Sequence, residues 1–391
     1  MAVKKLADQD LNGKIVVIRE DLNVPMKDGK VTNDKRIRAA LPTMKMALDK
    51  GAGVVVLSHL GRPVEGEFDE KFSLAPVADH VGALLGKPVK LVKTIEEAAP
   101  KPGEIVLVEN IRFFKGEKKN DAALAKKLAD LGDVYVMDAF GSAHRAHSST
   151  EGAVRAAKIA CAGPLMEAEL EAFGKVLDNP KRPLAAIIGG SKVSTKLGLL
   201  ENLLSKVDAL IVGGGIANTF LAAAGHNVGA SLYEPDLVPE AKKIMDKAKE
   251  LGKQLPLPVD VVTAKELAPG QKVSIHNIDD VPSDEMILDI GPKTVKLYED
   301  ILGKAATVVW NGPVGAFETE PFGKGTRDLA EFLAKSGAFV VVGGGDSVAA
   351  VESYGLADKM GYISTGGGAS LELLEGKVLP SVKALQDRAE K

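Results

Sequence analysis

The sequence has very little cysteine and no long apolar run. Its 391 residues include a single cysteine, Cys161, so no disulfide can form within the chain and no cysteine metal cluster can be built. One thiol fits a reducing compartment, and we expect a cytoplasmic protein. No run of about eighteen apolar residues occurs, and the N-terminus lacks the apolar core of a signal peptide, so no membrane segment is expected.

The sequence also lacks a strong excess of one charge. A formal net charge of −3 provides no broad positive field, and nucleic acid is therefore not an expected partner. With 45% apolar and 26% charged residues, the composition is typical of a folded globular chain rather than a disordered one. The length exceeds that of one ordinary core and favours two or three domains.

Glycine, by contrast, is abundant, and many of the 41 glycines are clustered. Glycine adopts positive φ without strain and lets a ligand approach the main chain closely. The clusters all lie in the second half, which predicts one site built from several loops. They are Gly189-Gly190, Gly213-Gly214-Gly215, Gly343-Gly344-Gly345 and Gly366-Gly367-Gly368.

Strand-like and helix-like segments alternate along the first half. The apolar runs predict strands that are buried on both faces, and the amphipathic stretches between them predict helices covering a parallel sheet. The predicted strands are Ile15–Arg19, Val54–Ser58, Ile105–Glu109 and Val134–Asp138; the predicted helices are Lys35–Lys50, Leu74–Leu85 and Ala122–Leu131.

The second half repeats this plan without a detectable sequence repeat, and a predicted helix at Pro164–Leu177 connects the halves. We therefore predict an α/β protein with two doubly wound parallel-sheet domains, each with three α/β/α layers. The predicted strands are Leu184–Ile188, Ala209–Val212, Val259–Thr263, Met286–Asp289, Thr307–Trp310 and Phe339–Val342; the predicted helices are Ala217–Ala224, Pro239–Leu251, Thr326–Lys335 and Ser347–Tyr354.

Cationic side chains follow the predicted strands of the first half. In open parallel sheets, ligands bind beyond the carboxyl ends of the strands. A single loop arginine is usually a surface ion pair, but several arginines gathered at one edge repel each other unless an anion joins them, and arginine suits phosphate or carboxylate. We interpret His80 and His147 as structural. The candidate residues are Asp21, Asn23, Arg36, His59, Arg62, Arg112, His144 and Arg145.

The stretch Leu184–Leu200 predicts a strand, a Gly-Gly turn and a helix beginning at Ser191. Lys192 and Lys196 are four residues apart, which predicts that both lie on one face of the first helical turns. A glycine turn at a helix N-terminus presents free N–H groups and suits an anion. From this stretch alone, a basic, solvated helix face is an equal alternative.

Two further loops of the second half carry groups suited to a nucleotide. Glu318 has the chemistry to accept hydrogen bonds from ribose hydroxyls, and Asp346 could bind Mg²⁺ together with phosphate oxygens. Neither a GxxxxGK[ST] loop nor a completed GxGxxG pattern is present, so the predicted nucleotide site is neither a P-loop nor a Rossmann site. Triple glycines alone are weak signals, because most are turns.

Several long motifs, in order along nearly the whole chain, resemble the phosphoglycerate kinase family of bacterial type. They are Arg19-Glu20-Asp21-Leu22-Asn23-Val24-Pro25, Leu57-Ser58-His59-Leu60-Gly61-Arg62-Pro63, Asp138-Ala139-Phe140-Gly141-Ser142-Ala143-His144-Arg145, Gly189-Gly190-Ser191-Lys192-Val193-Ser194-Thr195-Lys196, Trp310-Asn311-Gly312-Pro313-Val314-Gly315 and Ser364-Thr365-Gly366-Gly367-Gly368-Ala369-Ser370-Leu371-Glu372.

The resemblance implies two domains joined by an interdomain helix, with an active-site cleft between them. Residues 1–172 plus 376–391 would form the 3-phosphoglycerate-binding domain, and residues 173–375 the nucleotide-binding domain. The last helix, within Val378–Lys391, would return to the first domain. The implied activity is reversible phosphoryl transfer between 1,3-bisphosphoglycerate and ADP, with Mg²⁺ and ATP or ADP, by a monomer that closes about a hinge.

The resemblance also assigns site residues by motif position. Phosphoglycerate would be bound by Asp21, Asn23, Arg36, His59, Leu60, Gly61, Arg62, Arg112 and Arg145. Nucleotide would be bound by Lys196, Gly213, Asn311, Glu318, Gly344, Gly345, Asp346 and Ser347, with Asp346 at the metal. The predicted catalytic residues are Arg36, Lys192, Lys196, Gly345 and Gly367.

One departure concerns Ile287, two residues before Asp289, where many relatives have glycine. The competing functions are a non-catalytic two-domain binder of a small phosphorylated anion and a different small-molecule kinase. A second, glycine–lysine site has no use in a simple binder, which favours the kinase.

Overall fold

The computed structural model describes residues 2–391, and the chain divides into two compact units. Unit 1 comprises Met1–Glu171 with Val378–Lys391, and unit 2 comprises Ala172–Lys377. These bounds differ by one or two residues from the domain limits predicted above, and the ligand assigned to each domain stays a prediction. Within residues 2–391, no helix combines the length and apolar character that a bilayer crossing requires.

Unit 1 is built on a six-stranded parallel sheet of order β5-β6-β4-β1-β7-β8, accompanied by a short antiparallel hairpin, β2-β3. Its strands are β1 (Ile15–Arg19), β2 (Met26–Lys27), β3 (Lys30–Val31), β4 (Gly53–Leu57), β5 (Val89–Val92), β6 (Ile105–Val108), β7 (Val134–Met137) and β8 (Ile159–Ala162). Its helices are α1 (Lys35–Asp49), α2 (Ala75–Leu85), α3 (Ala122–Ala129) and α4 (Ala153–Ala156), and α5 (Pro164–Leu177) runs across the boundary into unit 2.

The core of unit 1 explains why its strands are continuous apolar runs. Every residue of β4, β6 and β7 is buried, so both faces of the sheet are covered. Alternate strand residues, such as Val16, Ile18, Val54 and Val56, join one apolar cluster with residues of α1 and α2. The chain leaves β1 first toward β4 and later returns on the other side as β7, so the sheet reverses its order between β1 and β7.

Unit 2 contains a five-stranded parallel sheet of order β10-β9-β14-β15-β16 and a separate antiparallel sheet of order β12-β11-β13. Its strands are β9 (Leu184–Ile188), β10 (Ala209–Val212), β11 (Asp260–Ala264), β12 (Ser274–Asn277), β13 (Met286–Ile290), β14 (Thr307–Asn311), β15 (Phe339–Gly343) and β16 (Tyr362–Ile363). Its helices are α6 (Leu197–Leu204), α7 (Gly214–Ala223), α8 (Val238–Glu250), α9 (Pro292–Leu302), α10 (Lys324–Lys335), α11 (Gly345–Ser353) and α12 (Gly368–Leu374); α13 (Pro380–Ala389) belongs to unit 1.

The α/β class with parallel sheets in two domains is confirmed, with one difference in unit 2. The segments near Val259–Thr263 and Met286–Asp289, expected to continue the parallel sheet, pair antiparallel with each other as β11 and β13. A short apolar run indicates burial but not which sheet the strand joins. The main parallel sheet of unit 2 reverses its order between β9 and β14.

Candidate active site

Hydrogen bonds link the loops at the carboxyl edge of the unit 1 sheet. After β1, Asp21 accepts the Asn23 N–H at 3.0 Å, and the Asn23 side-chain oxygen accepts the Gly61 N–H from the loop after β4 at 2.9 Å. Arg112, after β6, donates to the Gly61 carbonyl at 2.7 Å. Arg36, in the first turn of α1, donates to the Asn23 carbonyl at 2.7 Å. Five predicted residues from four chain segments therefore form one connected group.

Arg19, the last residue of β1, contacts the loop residues that carry this group. Its side chain is buried and donates to Ser149 Oγ at 2.8 Å and to the Glu20 carbonyl at 2.5 Å. It also lies 3.1 Å from His59 Nδ1. Because guanidinium is always a donor, Nδ1 must accept, and the His59 ring is neutral with its proton on Nε2.

Burial and repulsion from neighbouring cations lower the pKa values of two members of this group, His59 and Arg112. Burial, Arg19 and Arg112 hold the pKa of His59 well below its ordinary value. The pKa of Arg112 falls to about 10, mainly through burial, with further repulsion from Arg19, Arg145 and Arg62. An anion nearby would favour the charged forms of these side chains, so the electrostatics of the group suit an anion.

The remaining predicted residues of unit 1 lie around this group in different ways. Arg62 and Arg145 are exposed and act on it through the charge effects just described. The Leu60 side chain is buried in the core, and its carbonyl accepts a hydrogen bond from Asn110, so Leu60 contributes shape rather than a charged contact. His80 pairs with Asp34 at 2.9 Å, in keeping with its structural interpretation.

In unit 2, Lys196 lies where the parallel sheet reverses its order. Its ammonium donates to the Gly189 carbonyl at 2.6 Å, after β9, and to Asn311 Oδ1 at 2.6 Å, at the end of β14. Burial lowers the Lys196 pKa to about 8, and the carboxylate of Asp346 opposes this shift. The side chain is thus a partly desolvated cation held between the ends of two strands.

The predicted helix start in this region is wrong. Val193–Thr195 form a single 3₁₀ turn, and the α-helix begins only at Leu197, with Lys196 as its N-cap. Lys192 lies on extended backbone before the turn, so Lys192 and Lys196 do not share a face of one helix. The physical reason is that Lys196 reaches back to two carbonyl oxygens, an arrangement that helical spacing does not describe. Lys192 is exposed. Burial acts to raise the pKa of Glu234, but hydrogen bonds from Ser194 and Val193, with a smaller effect of the Lys192 charge, lower it below its ordinary value.

Several glycines after the strands of unit 2 allow backbone to pack on backbone. A Cβ on Gly189 would lie 1.9 Å from the Pro313 carbonyl oxygen, and one on Gly215 would lie 2.2 Å from that of Ser191. Gly213 is buried against Val314, and its N–H donates to the Ile188 carbonyl at 3.0 Å. Its N–H is therefore not available to a nucleotide, and its carbonyl already accepts the Ala217 N–H at 3.4 Å, so the predicted contact would have to use the second lone pair of that carbonyl.

Other glycines face open space. A Cβ on Gly345, the first residue of α11, or on Gly367, just before α12, would meet no atom within 4 Å. Gly344, directly before Gly345, has a φ of 89°, a conformation that favours glycine. Asp346 is exposed in the first turn of α11, whereas the buried Ser347 hydroxyl accepts the Gly312 N–H at 2.5 Å. Gly345 and Gly367 thus leave room for a ligand at the main chain.

A pocket of about 350 Å³ adjoins these loops within unit 2. Its lining combines apolar side chains with Glu318 and Asp346. Ile287 also lines the pocket, and its N–H donates to Ser231 Oγ at 2.8 Å, so this N–H is occupied. An apolar slot with carboxylates at its rim and open helix starts nearby has the chemistry of a nucleotide site.

The matching family model is described as phosphoglycerate kinase and covers residues 6–377. The chain belongs to the phosphoglycerate kinase family. The phosphoglycerate kinases of Desulfovibrio desulfuricans and Nitratidesulfovibrio vulgaris are 74% and 60% identical to it, over 100% of each chain. The solved structure of phosphoglycerate kinase from Coxiella burnetii has a TM-score of 0.97 at 53% identity, covering 99% of this chain and all of its own. That of phosphoglycerate kinase from Pyrococcus horikoshii has a TM-score of 0.82 at 33% identity, with the same coverage.

As a member of this family, the chain is an enzyme that transfers a phosphoryl group between 1,3-bisphosphoglycerate and ADP, a glycolytic reaction. The alternatives considered from sequence, a non-catalytic binder and a different small-molecule kinase, are excluded. Its small-molecule partners are phosphoglycerate and ADP or ATP.

One residue beside the cationic group, Arg19, was missed by sequence reasoning. Arg19 looks like the end of a strand, and its place at the head of the motif that continues with Asp21 and Asn23 was the available signal. The interpretation of His147 as structural stays a prediction; its pKa is lowered to about 4, mainly by burial and then by the charges of Arg112, Arg19 and Arg145.

Proposed function

We propose that unit 1 binds the phosphoglycerate of this reaction at its cationic group. The observation that carries the proposal is the gathering of Arg36, Arg112 and His59, with depressed pKa values at Arg112 and His59, at the edge where the sheet reverses its order. Phosphate and carboxylate relieve such repulsion, and phosphoglycerate carries both. The full proposed set is Asp21, Asn23, Arg36, His59, Leu60, Gly61, Arg62, Arg112 and Arg145.

In this proposal unit 2 binds ATP or ADP. The base and ribose occupy the pocket lined by Ile287 and Glu318, and the phosphates extend toward Lys196 and the start of α11. The open space at Gly345 and the free N–H groups of a helix start support this assignment. The full proposed set is Lys196, Gly213, Asn311, Glu318, Gly344, Gly345, Asp346 and Ser347.

The residues at this site fit a magnesium ion bound together with nucleotide phosphates. Asp346 offers an exposed carboxylate beside the proposed phosphate path, and residues 2–391 contain no group of three protein ligands that would hold a metal by itself. Mg²⁺ commonly takes one or two carboxylates and completes its shell with phosphate oxygens and water. Bound there, the ion would neutralise charge on the phosphates.

The proposed mechanism is in-line transfer without a general base. The acceptor carboxylate of 3-phosphoglycerate is already ionised near neutral pH, so the protein must align the reactants and stabilise charge on the transferred group. We assign this stabilisation to Arg36 and Lys196, assisted by Lys192 and by N–H groups at Gly345 and Gly367. Because donor and acceptor are assigned to different units, transfer requires a hinge closure, which also excludes water.

Two arginines of α1 provide a test of the proposed phosphoglycerate site, because Arg36 contacts its loop and Arg38 does not. Arg36 donates to Asn23, whereas Arg38 pairs with Asp34 at 2.9 Å on the same helix. Arg36→Ala should lower kcat and weaken phosphoglycerate binding by at least about tenfold, as expected for a lost charge-assisted contact. Arg38→Ala should leave both near wild type. Equal kinetic effects of the two substitutions would contradict the assignment.

We also propose that the enzyme acts as a monomer in the cytoplasm. The single, buried Cys161 supports a reducing compartment. Sedimentation velocity at micromolar concentration tests the first statement, and fractionation of the native cell tests the second.

A further inference from the structure

Two carboxyl groups that the phosphoryl-transfer proposal does not use meet beneath the phosphoglycerate site. Glu20 follows β1 and Asp138 follows β7, the two strands between which the unit 1 sheet reverses its order. Their exposed fractions are 0% and 1%. Two buried carboxylates in contact would repel strongly, so one of them must keep a proton.

The hydrogen-bond partners decide which carboxyl holds the proton. Asp138 accepts three hydrogen bonds, from Thr43 Oγ1 at 2.7 Å and from the N–H groups of Leu165 at 3.0 Å and Met166 at 3.3 Å. Neither carboxyl oxygen of Glu20 accepts a bond from an N–H or hydroxyl group anywhere in residues 2–391. Its neighbour is the Asp138 carboxyl, because Arg19 pairs with Met137 in the β1–β7 register and the Asp138 N–H donates to the Arg19 carbonyl at 3.0 Å. Three donors favour the charge on Asp138, and the proton therefore belongs to Glu20.

We propose that Glu20 is protonated and donates to ionised Asp138, and that this bond positions the loop after β1 for phosphoglycerate. Glu20 lies directly before Asp21, and its carbonyl accepts a hydrogen bond from Arg19. Asp138 binds the first N–H groups of α5, the helix that continues into unit 2, and also α1 through Thr43. The pair thus joins the substrate loop to two helices. Glu20 is a positioning residue in this proposal, which rests on the phosphoglycerate site proposed above.

The charges around the pair agree with this proton. Burial raises the pKa of Glu20 well above its ordinary value, and Asp138 and Asp21 raise it further against the opposing charge of Arg19. Burial also raises the Asp138 pKa, while the bonds from Glu20 and Thr43 lower it. The other titratable groups facing Asp138 are Cys161 on β8 and Glu167 on α5. Neither Cys161 nor Glu167 is a cation, and the effect of Arg19 on the pKa of Glu20 is smaller than the effects of burial, Asp138 and Asp21.

Infrared difference spectroscopy tests the proton directly. Subtracting the spectrum of Glu20→Gln from that of wild type at neutral pH should reveal the C=O stretch of a protonated carboxyl. Glu109→Gln is the matched control, because Glu109 follows β6, is 3% exposed and accepts bonds from Ser73 Oγ and Leu74 N–H, both at 2.7 Å. This control should remove a carboxylate band instead. A carboxylate band in both difference spectra overturns the proposal.

Steady-state kinetics test the positioning role. Glu20→Leu retains volume but loses the donor, so KM for 3-phosphoglycerate should rise about tenfold while KM for ATP stays unchanged. Glu20→Gln, whose amide still donates to Asp138, should restore the wild-type value. An unchanged KM in Glu20→Leu, or no rescue by Gln, overturns positioning. The infrared result holds even if the phosphoglycerate assignment fails, and the Arg36 and Arg38 variants test that assignment separately.

Discussion

At the scale of single residues, Lys196 is the cation proposed to contact the nucleotide phosphates, and its burial lowers its pKa. Lys196→Ala should lower kcat by roughly 10²-fold or more, because a preorganised cation near the transferred group is lost. The exposed Lys304, after α9, provides the matched control as Lys304→Ala, which should retain activity. Unchanged kcat in Lys196→Ala would remove this lysine from the mechanism.

The pKa of Lys196 gives a second prediction. Burial lowers it to about 8, so the free enzyme loses the required ammonium as the pH rises through that value. The kcat/KM for ATP should therefore fall on the alkaline side near pH 8, since this parameter reports groups of the free enzyme. In Lys196→Arg the guanidinium stays charged, and the alkaline fall should vanish at whatever rate remains. A fall that persists in this variant belongs to another group.

His147, beside the cationic group of unit 1, should make the free energy of unfolding depend on pH in the acid range. The folded-state pKa of His147 is about 4, whereas an unfolded histidine titrates near 6.5. Between these values the unfolded state binds more protons, so the free energy of unfolding decreases as the pH falls. Urea unfolding between pH 7 and 4.5 should show this decrease, and it should be smaller in His147→Gln. Identical pH dependence in the two proteins would contradict the interpretation.

At the scale of elements, the glycine loops of unit 2 divide into two kinds, and substitution separates them. Gly345→Ala adds a methyl that meets no protein atom, so melting temperature should hold while KM for ATP rises several-fold through obstruction of phosphate. Gly189→Ala forces a methyl to 1.9 Å from the Pro313 carbonyl, and stability should drop by about 1–3 kcal/mol or more. Thermal melts and ATP kinetics on both variants check the contrast.

The strands and one helix start show what sequence patterns can predict about secondary structure. The apolar runs located β1, β9 and β10 at their observed bounds, because buried parallel strands have few polar residues to obscure them. The strand β5 (Val89–Val92) was missed, since its Lys90 is exposed at the sheet edge. The start of α6 was misplaced because Lys196 makes tertiary contacts with Gly189 and Asn311 that no local pattern encodes.

At the scale of the whole molecule, topology explains why the proposed site residues could be gathered from sequence. Each parallel sheet reverses its order once, between β1 and β7 or between β9 and β14, and the residues after those strands converge there. Arg112 was found because it follows β6 in the same sheet, Arg36 because it lies at the predicted start of α1, and Lys196 because it follows the Gly-Gly turn after β9. The proposed role of the buried Glu20–Asp138 pair could not be predicted from the sequence, because Asp138 and α5 come near the loop after β1 only in the folded sheet.

The contacts of α13, the last helix, predict that its removal weakens phosphoglycerate binding but not nucleotide binding. In α13, the Ser381 N–H donates to the Ala143 carbonyl at 3.1 Å, and the Ser381 hydroxyl donates to Thr150 at 2.6 Å. These two acceptors bracket Arg145, so α13 holds the loop that presents it. A chain ending at Lys377 should bind 3-phosphoglycerate about tenfold more weakly, because that loop loses both anchors.

The same truncation should leave the nucleotide dissociation constant near wild type, since unit 2 ends at Lys377 and keeps its own contacts. A chain ending at Ala389 removes only exposed residues beyond α13 and is the control, expected to match wild type for both ligands. Calorimetric titration of each ligand into the three proteins measures the division. Equal weakening of nucleotide and phosphoglycerate binding would show that α13 stabilises the molecule as a whole rather than the phosphoglycerate loop.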